Sequence, residues 1–213
     1  MNNKEKHFYD IEVDYEKILT EGGLLDEMFR LKDLKQRKLF LNSDIDQFTV
    51  FETVKHILQY NAEDKGLKVE ERKPILLYIA SNGGEVDAGF ELIDVILSSK
   101  TPVYTINLGF QYSMGFLIGI AGHKRFATKN AKFLMHDGSQ FVYNSGTKVQ
   151  DQMEFQKKVE EKVEKYVIEQ SKITPEEYND KRRVEWYLFA EEAKEKGFCD
   201  YIIGVDIDID EII

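Results

Sequence analysis

Four short apolar runs punctuate the chain: KLFL at 38–41, ILLYIA at 75–80, VYTINL at 103–108 and FLMH at 133–136. Unbroken apolar runs of this length predict strands covered on both faces, as in a parallel sheet. Between them the apolar positions change to helical spacing. Phe48, Phe51, Val54 and Leu58 predict a helix behind a cap at Asp44 or Asp46, and Val86, Phe90, Ile93 and Leu97 predict another after Gly83-Gly84. QYSMGFLIGIAG, residues 111–122, opens a short and almost wholly apolar helix with a polar turn. A long charged helix is expected from about Thr147 to Ser171, with Phe155, Val159, Val163 and Val167 as a narrow apolar stripe. Thr174-Pro175-Glu176-Glu177 starts a last helical segment with Pro in its first turn, and YIIGVDIDIDEII is expected to close the chain as a strand with an acidic end. Strands alternating with helices define an α/β chain of repeated β-α units. No internal repeat or Pro/Gly-rich linker divides it, so one domain is expected over 23–213, preceded by a polar arm at 1–22.

Composition narrows the function. The formal net charge of −10 argues against nucleic acid and anionic membrane as partners, because binding to phosphates needs clustered Lys and Arg. The first residues, MNNKEKHFYD, contain no apolar signal core, and the longest greasy run, Met114 to Ala121, is too short to span a bilayer. A cytoplasmic protein is expected. The single Cys199 forms no internal disulfide and reads as a buried structural thiol.

Candidate chemistry gathers at two strand-to-helix turns, Ser81–Glu85 and Gly109–Gly115, where α/β sheets usually bind ligands. Ser113, at the mouth of an apolar helix, is either an N-cap or a nucleophile. Asn82-Gly83-Gly84 can present a backbone N–H to an oxyanion, and the N–H of Met114 would be a second donor. His136, at the end of the next strand, could take the Ser113 proton. A carboxylate must orient that imidazole, and spacing leaves Asp137, Asp180, Glu185 and Glu192 open. Asp206-x-Asp208-x-Asp210 resembles the start of a calcium loop, but Glu211 stands where the loop needs Gly, so no metal is expected. His7, His56 and His123 lack ligand spacing; Trp186 reads as a packing residue, and Tyr112 packs under the serine turn or lines a pocket.

YIASNGGEVDAGFELIDVI, GFQYSMGFLIGIAGHKRFATKNAKFLMHD and VEWYLFAEEAKEKGFCDYII, in that order, resemble the ClpP family of Clp protease serine peptidases. The resemblance covers roughly Leu31 to Gly204 and implies a ClpP/crotonase-like fold with a protruding handle at about 137–171. It implies Ser113 as nucleophile, His136 as general base, and Gly84 with Met114 as oxyanion donors. The family's triad aspartate falls on Glu185, which carries one methylene more. Asn82 stands where the family usually has Pro, and Asp137-Gly138 where it commonly has Gln-Pro. These departures support an alternative, a catalytically silent structural subunit of a mixed ring. The resemblance further implies two stacked seven-membered rings, of one chain or with paralogous subunits, fed with unfolded polypeptide by a hexameric AAA+ ATPase. The chain has no P-loop pattern and implies no cofactor of its own.

Overall fold

The computed structural model describes residues 24–138 and 144–212; the expected arm at 1–22 and part of the handle, 139–143, lie outside the described residues. In chain order the elements are α1 (Leu24–Lys35), β1 (Lys38–Leu41), α2 (Gln47–Glu63), β2 (Ile75–Ser81), α3 (Val86–Ser98), β3 (Val103–Tyr112), α4 (Met114–Ile120), β4 (Lys124–Thr128), β5 (Lys132–Met135), α5 (Gly146–Glu169), α6 (Pro175–Lys181), β6 (Trp186–Phe189), α7 (Ala190–Glu195) and β7 (Tyr201–Ile203). Among the described residues, β1, β2, β3, β4 and β7 lie side by side in one parallel sheet. With parallel strands, each chain reversal needs a crossover, and α2, α3 and α4 supply them.

β3 explains how the sheet makes room for a site. Its first half, Tyr104–Asn107, pairs with β4, and its far end, Phe110–Tyr112, pairs with β5. The change of partner falls at buried Asn107, whose amide donates to Lys132 O at 3.0 Å and accepts from the Gly109 N–H at 3.0 Å. An Asn side chain there supplies the hydrogen bonds that an interrupted ladder would leave unmade. β6 then adds antiparallel to β5.

The main core lies between the sheet and α2–α4, with Ile75, Leu77, Ile79, Leu92 and Phe116 all but fully buried. On the other face a smaller cluster of Leu76, Tyr78, Ile106 and Phe126 is covered partly by Ile203, Ile207 and Ile212. The expected closing strand is therefore mostly something else. β7 is three residues long, Gly204 turns the chain at φ +81, Ile207 bridges back to Ile203, and Ile209–Glu211 is a 3-10 turn. The isoleucines that looked like strand alternation instead fold back as a cover.

Two helix faces also differ from expectation. α2 buries Val50, Thr53, Val54, Ile57 and Tyr60, whereas Phe48, Phe51 and Leu58 are exposed. α3 buries Ala88, Leu92, Ile93 and Ile96, leaving Val86 and Leu97 exposed. Both helices carry apolar residues on more than one face, and helical periodicity alone does not choose between them. In α5 the stripe is real but graded: Val167 is fully buried, Val163 half-buried and Phe155 66% exposed, so the helix is anchored by its C-terminal half.

Candidate active site

The ends of β1, β2, β3 and β5 converge on one rim. After β2 the Ser81 hydroxyl accepts the Gly83 N–H at 3.1 Å and donates to Ser43 O at 2.6 Å. Ile45 N–H donates to Gly83 O and Glu85 N–H to Ile45 O, each at 2.8 Å, forming a parallel bridge to Gly84. In such a bridge the flanking residues make the bonds, so the Gly84 N–H points away from Ile45. Gly84 has φ +150, and a Cβ there would stand 2.1 Å from Ile45 O; at Gly83 a Cβ would meet that of Ser113 at 2.7 Å. Only glycines let the turn lie against the serine. Asn82, the residue in place of the family's Pro, leaves the turn hydrogen-bonded on both sides.

The strand-to-helix turn is tighter than the expected Gly109–Gly115 loop, because β3 continues to Tyr112 and a single residue, Ser113, makes the turn. Ser113 adopts φ 52 and ψ −120, a conformation that non-glycine residues avoid, and its N–H donates to Leu134 O at 3.0 Å. Its carbonyl accepts from Phe116 and Leu117, but its hydroxyl makes no capping bond and none to any other described residue. The N-cap role of the side chain is thus ruled out. Strain at a strand-to-helix turn that exposes a serine hydroxyl is how nucleophile elbows are built. Met114 is the first residue of α4, and its N–H has no partner inside the helix.

Register brings His136 to Glu185. In the antiparallel pair of β5 and β6, Lys132 faces Phe189 and Met135 faces Trp186, so the next pair along is His136 and Glu185. Directly opposed residues stand within side-chain reach. The His136 Nδ1 lies 2.8 Å from Glu185 Oε1, and the Tyr187 hydroxyl donates to Glu185 Oε2 at 3.2 Å. The hydrogen bond from His136 holds the Glu185 carboxyl below the usual carboxylate range, and Glu185 in turn raises the Tyr187 hydroxyl. The three carboxylates that spacing left open are engaged elsewhere. Asp137 lies 3.8 Å from the Arg182 guanidinium, Asp180 3.4 Å from Lys181 Nζ, and Glu192 accepts the Phe189 N–H at 3.1 Å.

A cavity of about 300 Å³ opens on this rim, lined by Ser113, His136, Gly84 and Met114 on one side and by Val159, Val163 and Arg182 on the other. Val159 and Val163 belong to α5, so the long helix forms a wall of the site. Arg182 spans the wall, 3.9 Å from Glu160 and 3.8 Å from Asp137, while its carbonyl accepts the Asp137 N–H at 2.7 Å. Neither Arg182 nor Tyr187 is among the residues that the sequence singles out. Tyr187 was findable, since residues i and i+2 on a strand share a face. Tyr112 stands outside the cavity lining and packs edge-on against Tyr187 at 5.8 Å. Trp186 packs against Phe198.

Chemically, a serine hydroxyl beside two N–H donors that are unspent among the described residues and a carboxylate-held imidazole is the residue set with which serine hydrolases attack carbonyls. Among the described residues no cluster of His, Cys, Asp or Glu is arranged to hold a metal, and Asp206 accepts from Lys194 Nζ at 2.6 Å and from the Ile202 N–H at 2.7 Å. No described helix is long and apolar enough to cross a membrane.

The class these features define is an α/β protein with a parallel-dominated sheet, carrying a candidate serine-hydrolase site. The family profile described as Clp protease matches residues 25–206, and the chain belongs to that family. It is 33% identical over 189 residues to the ATP-dependent Clp protease proteolytic subunit 1 of Streptomyces avermitilis, covering 86% of this chain and 83% of that one. It is 27% identical over 192 residues to the ATP-dependent Clp protease proteolytic subunit 2 of Treponema pallidum, covering 89% and 92%.

Proposed function

We propose that this chain is a serine endopeptidase that cleaves unfolded polypeptide inside a chamber of assembled subunits. The observation that carries the reading is that strained Ser113 and His136, the latter held by Glu185, line one cavity. Ser113 Oγ attacks the peptide carbonyl carbon while His136 takes its proton. The carbonyl oxygen becomes an oxyanion bound by the Gly84 and Met114 N–H groups. His136 returns the proton to the leaving amine as the C–N bond breaks, leaving an acyl group on Ser113. Water, deprotonated by His136, then releases it. Glu185 holds the imidazole with Nε2 toward the serine and offsets its positive charge. The missing Ser113–His136 bond is compatible with this, since such bonds often tighten only with substrate.

Assembly belongs to the same proposal. Residues 23–213 form one peptidase domain, with about 137–171 as handle. Phe155 and Met153 on the free half of α5, and Phe48, Phe51 and Leu58 on α2, are large apolar side chains left exposed in the single chain, which supports contacts with further subunits. Two stacked seven-membered rings, homomeric or mixed with paralogous subunits, enclose the chamber, and a hexameric AAA+ ATPase feeds it in the cytoplasm. The Ser113 hydroxyl, unpaired among the described residues, favours one second reading, a silent structural subunit whose ring partners do the cutting.

Intact-mass detection of fluorophosphonate labelling separates the two, run beside Ser113→Ala and a size measurement on the same sample. One adduct per chain that vanishes in Ser113→Ala supports the peptidase. An assembled ring that takes no adduct supports the silent subunit.

A further inference from the structure

The geometry points to Tyr187 as a positioning residue that fixes Glu185, so that the longer carboxylate can serve where the family has an aspartate. This rests on reading Ser113, His136 and Glu185 as the triad. A Glu has one more torsion than an Asp, and Glu185 is 58% exposed, so nothing buried restrains it. Yet both of its oxygens are engaged, Oε1 at 2.8 Å from His136 Nδ1 and Oε2 at 3.2 Å from the Tyr187 hydroxyl. Two anchors on one planar carboxylate fix its rotation as well as its position; His136 alone would leave it free to swing.

Tyr187 is itself fixed. It lies on β6 opposite Leu134 of β5, which in turn pairs with Tyr112 of β3, so the two tyrosines occupy one row across three strands. Their rings meet nearly perpendicular, at 88° with centroids 5.8 Å apart, the edge-to-face arrangement aromatic pairs prefer. Tyr112 directly precedes Ser113. Contacts therefore run from Ser113 through the backbone to Tyr112, through ring packing to Tyr187, and by hydrogen bonds to Glu185 and His136. The hydroxyl thereby ties the carboxylate to the strand that carries the nucleophile.

The test is a double-mutant cycle on the assembled protein, read by peptide hydrolysis. Tyr187→Phe keeps the ring and removes the hydroxyl; it should lower kcat roughly three- to tenfold with KM within about twofold, the effect of one partly exposed hydrogen bond. In a Glu185→Asp background the shorter acid no longer reaches the hydroxyl, so Tyr187→Phe should change kcat by less than about twofold. An unchanged kcat for the single variant, or equal losses in both backgrounds, overturns the inference. Full activity in Glu185→Gln would instead overturn the triad reading on which it rests. A readout independent of turnover is the NMR titration of the Tyr187 ring. Glu185→Gln should shift its midpoint toward that of an ordinary tyrosine, and an unmoved midpoint rejects the contact even in an inactive subunit.

Discussion

Ser113 shows what a residue's backbone adds to its chemistry. The sequence leaves two uses for a serine at a helix mouth; φ 52 and a hydroxyl that caps nothing remove the capping use and support the proposed nucleophile. Gly84 offers the sharpest substitution here. An alanine Cβ would collide with Ile45 O at 2.1 Å, so Gly84→Ala must break the bridge to Ile45 and swing the N–H away from the oxyanion. We expect kcat to fall about 10²–10³-fold, the usual cost of one oxyanion donor, and the variant to melt earlier through strain of about 1–3 kcal/mol. Peptide hydrolysis and a thermal melt measure both. Cys199 makes a simpler case: burial pushes its thiol up to about 12, so almost no thiolate exists near neutrality. A disulfide reagent at pH 8 should leave it unmodified in the folded protein and titrate one thiol after denaturation. At this scale Ser113, His136, Gly84 and Met114 were legible as candidates because each sits at a strand end or helix start. The choice of Glu185 came only from resemblance, because four carboxylates fit the spacing and the antiparallel register that sets Glu185 against His136 is invisible in sequence.

Among elements, the apolar strands β1, β2, β3 and β5 were legible and the helix faces were not. ILLYIA must be buried on both sides wherever it lies in a parallel sheet, so its reading needed no partner. α2 is apolar around much of its circumference, and only the sheet decides that Val50, Val54 and Ile57 turn inward. β6 escaped notice altogether, because WYLF follows the charged stretch DKRRVE without a turn signal. α5 lies between these cases: its stripe was readable, its grading was not. Burial of Tyr166 and Val167 near one end, with Tyr166 donating to Leu117 O at 2.8 Å, against exposed Met153 and Phe155 near the other, predicts uneven stability. In the unassembled chain, amides at 149–155 should exchange with deuterium far faster than those at 163–169. Assembly should protect the fast half if α5 is the handle; a uniformly slow helix in the lone chain would contradict the grading.

Across the whole molecule, chemistry and stability sit at opposite poles of the sheet. The site gathers at the carboxyl ends of β1, β2, β3 and β5, whereas the amino ends of β1, β2 and β3 are tied by a buried polar knot. Arg37, just before β1, makes two 2.7 Å bonds to Asp64 at the end of α2 and one of 2.8 Å to Lys73 O before β2. Thr101, before β3, donates to the same carboxylate at 2.8 Å. Arg37 and Asp64 are both buried, and Arg37 adopts φ 62 to enter the knot. Burial alone would raise the Asp64 carboxyl, but the bonds from Arg37 and Thr101 outweigh it and hold it below the usual range. A carboxyl depressed on folding contributes its full stability above its unfolded value, about pH 4, and loses it as pH falls through the lower folded value. Asp64→Asn should therefore cost about 3 kcal/mol at pH 7, the low end for breaking a buried pair because Glu63 also stands 3.6 Å from Arg37. Its cost should shrink in acid, where the native carboxyl is protonated as well. Denaturant melts at pH 7 and below pH 3 test the sign, and an equal loss at both would place the effect in packing rather than charge. Hydrolysis by the folded Asp64→Asn fraction should keep its native kcat, because no bond of the knot reaches Ser113, His136 or Glu185.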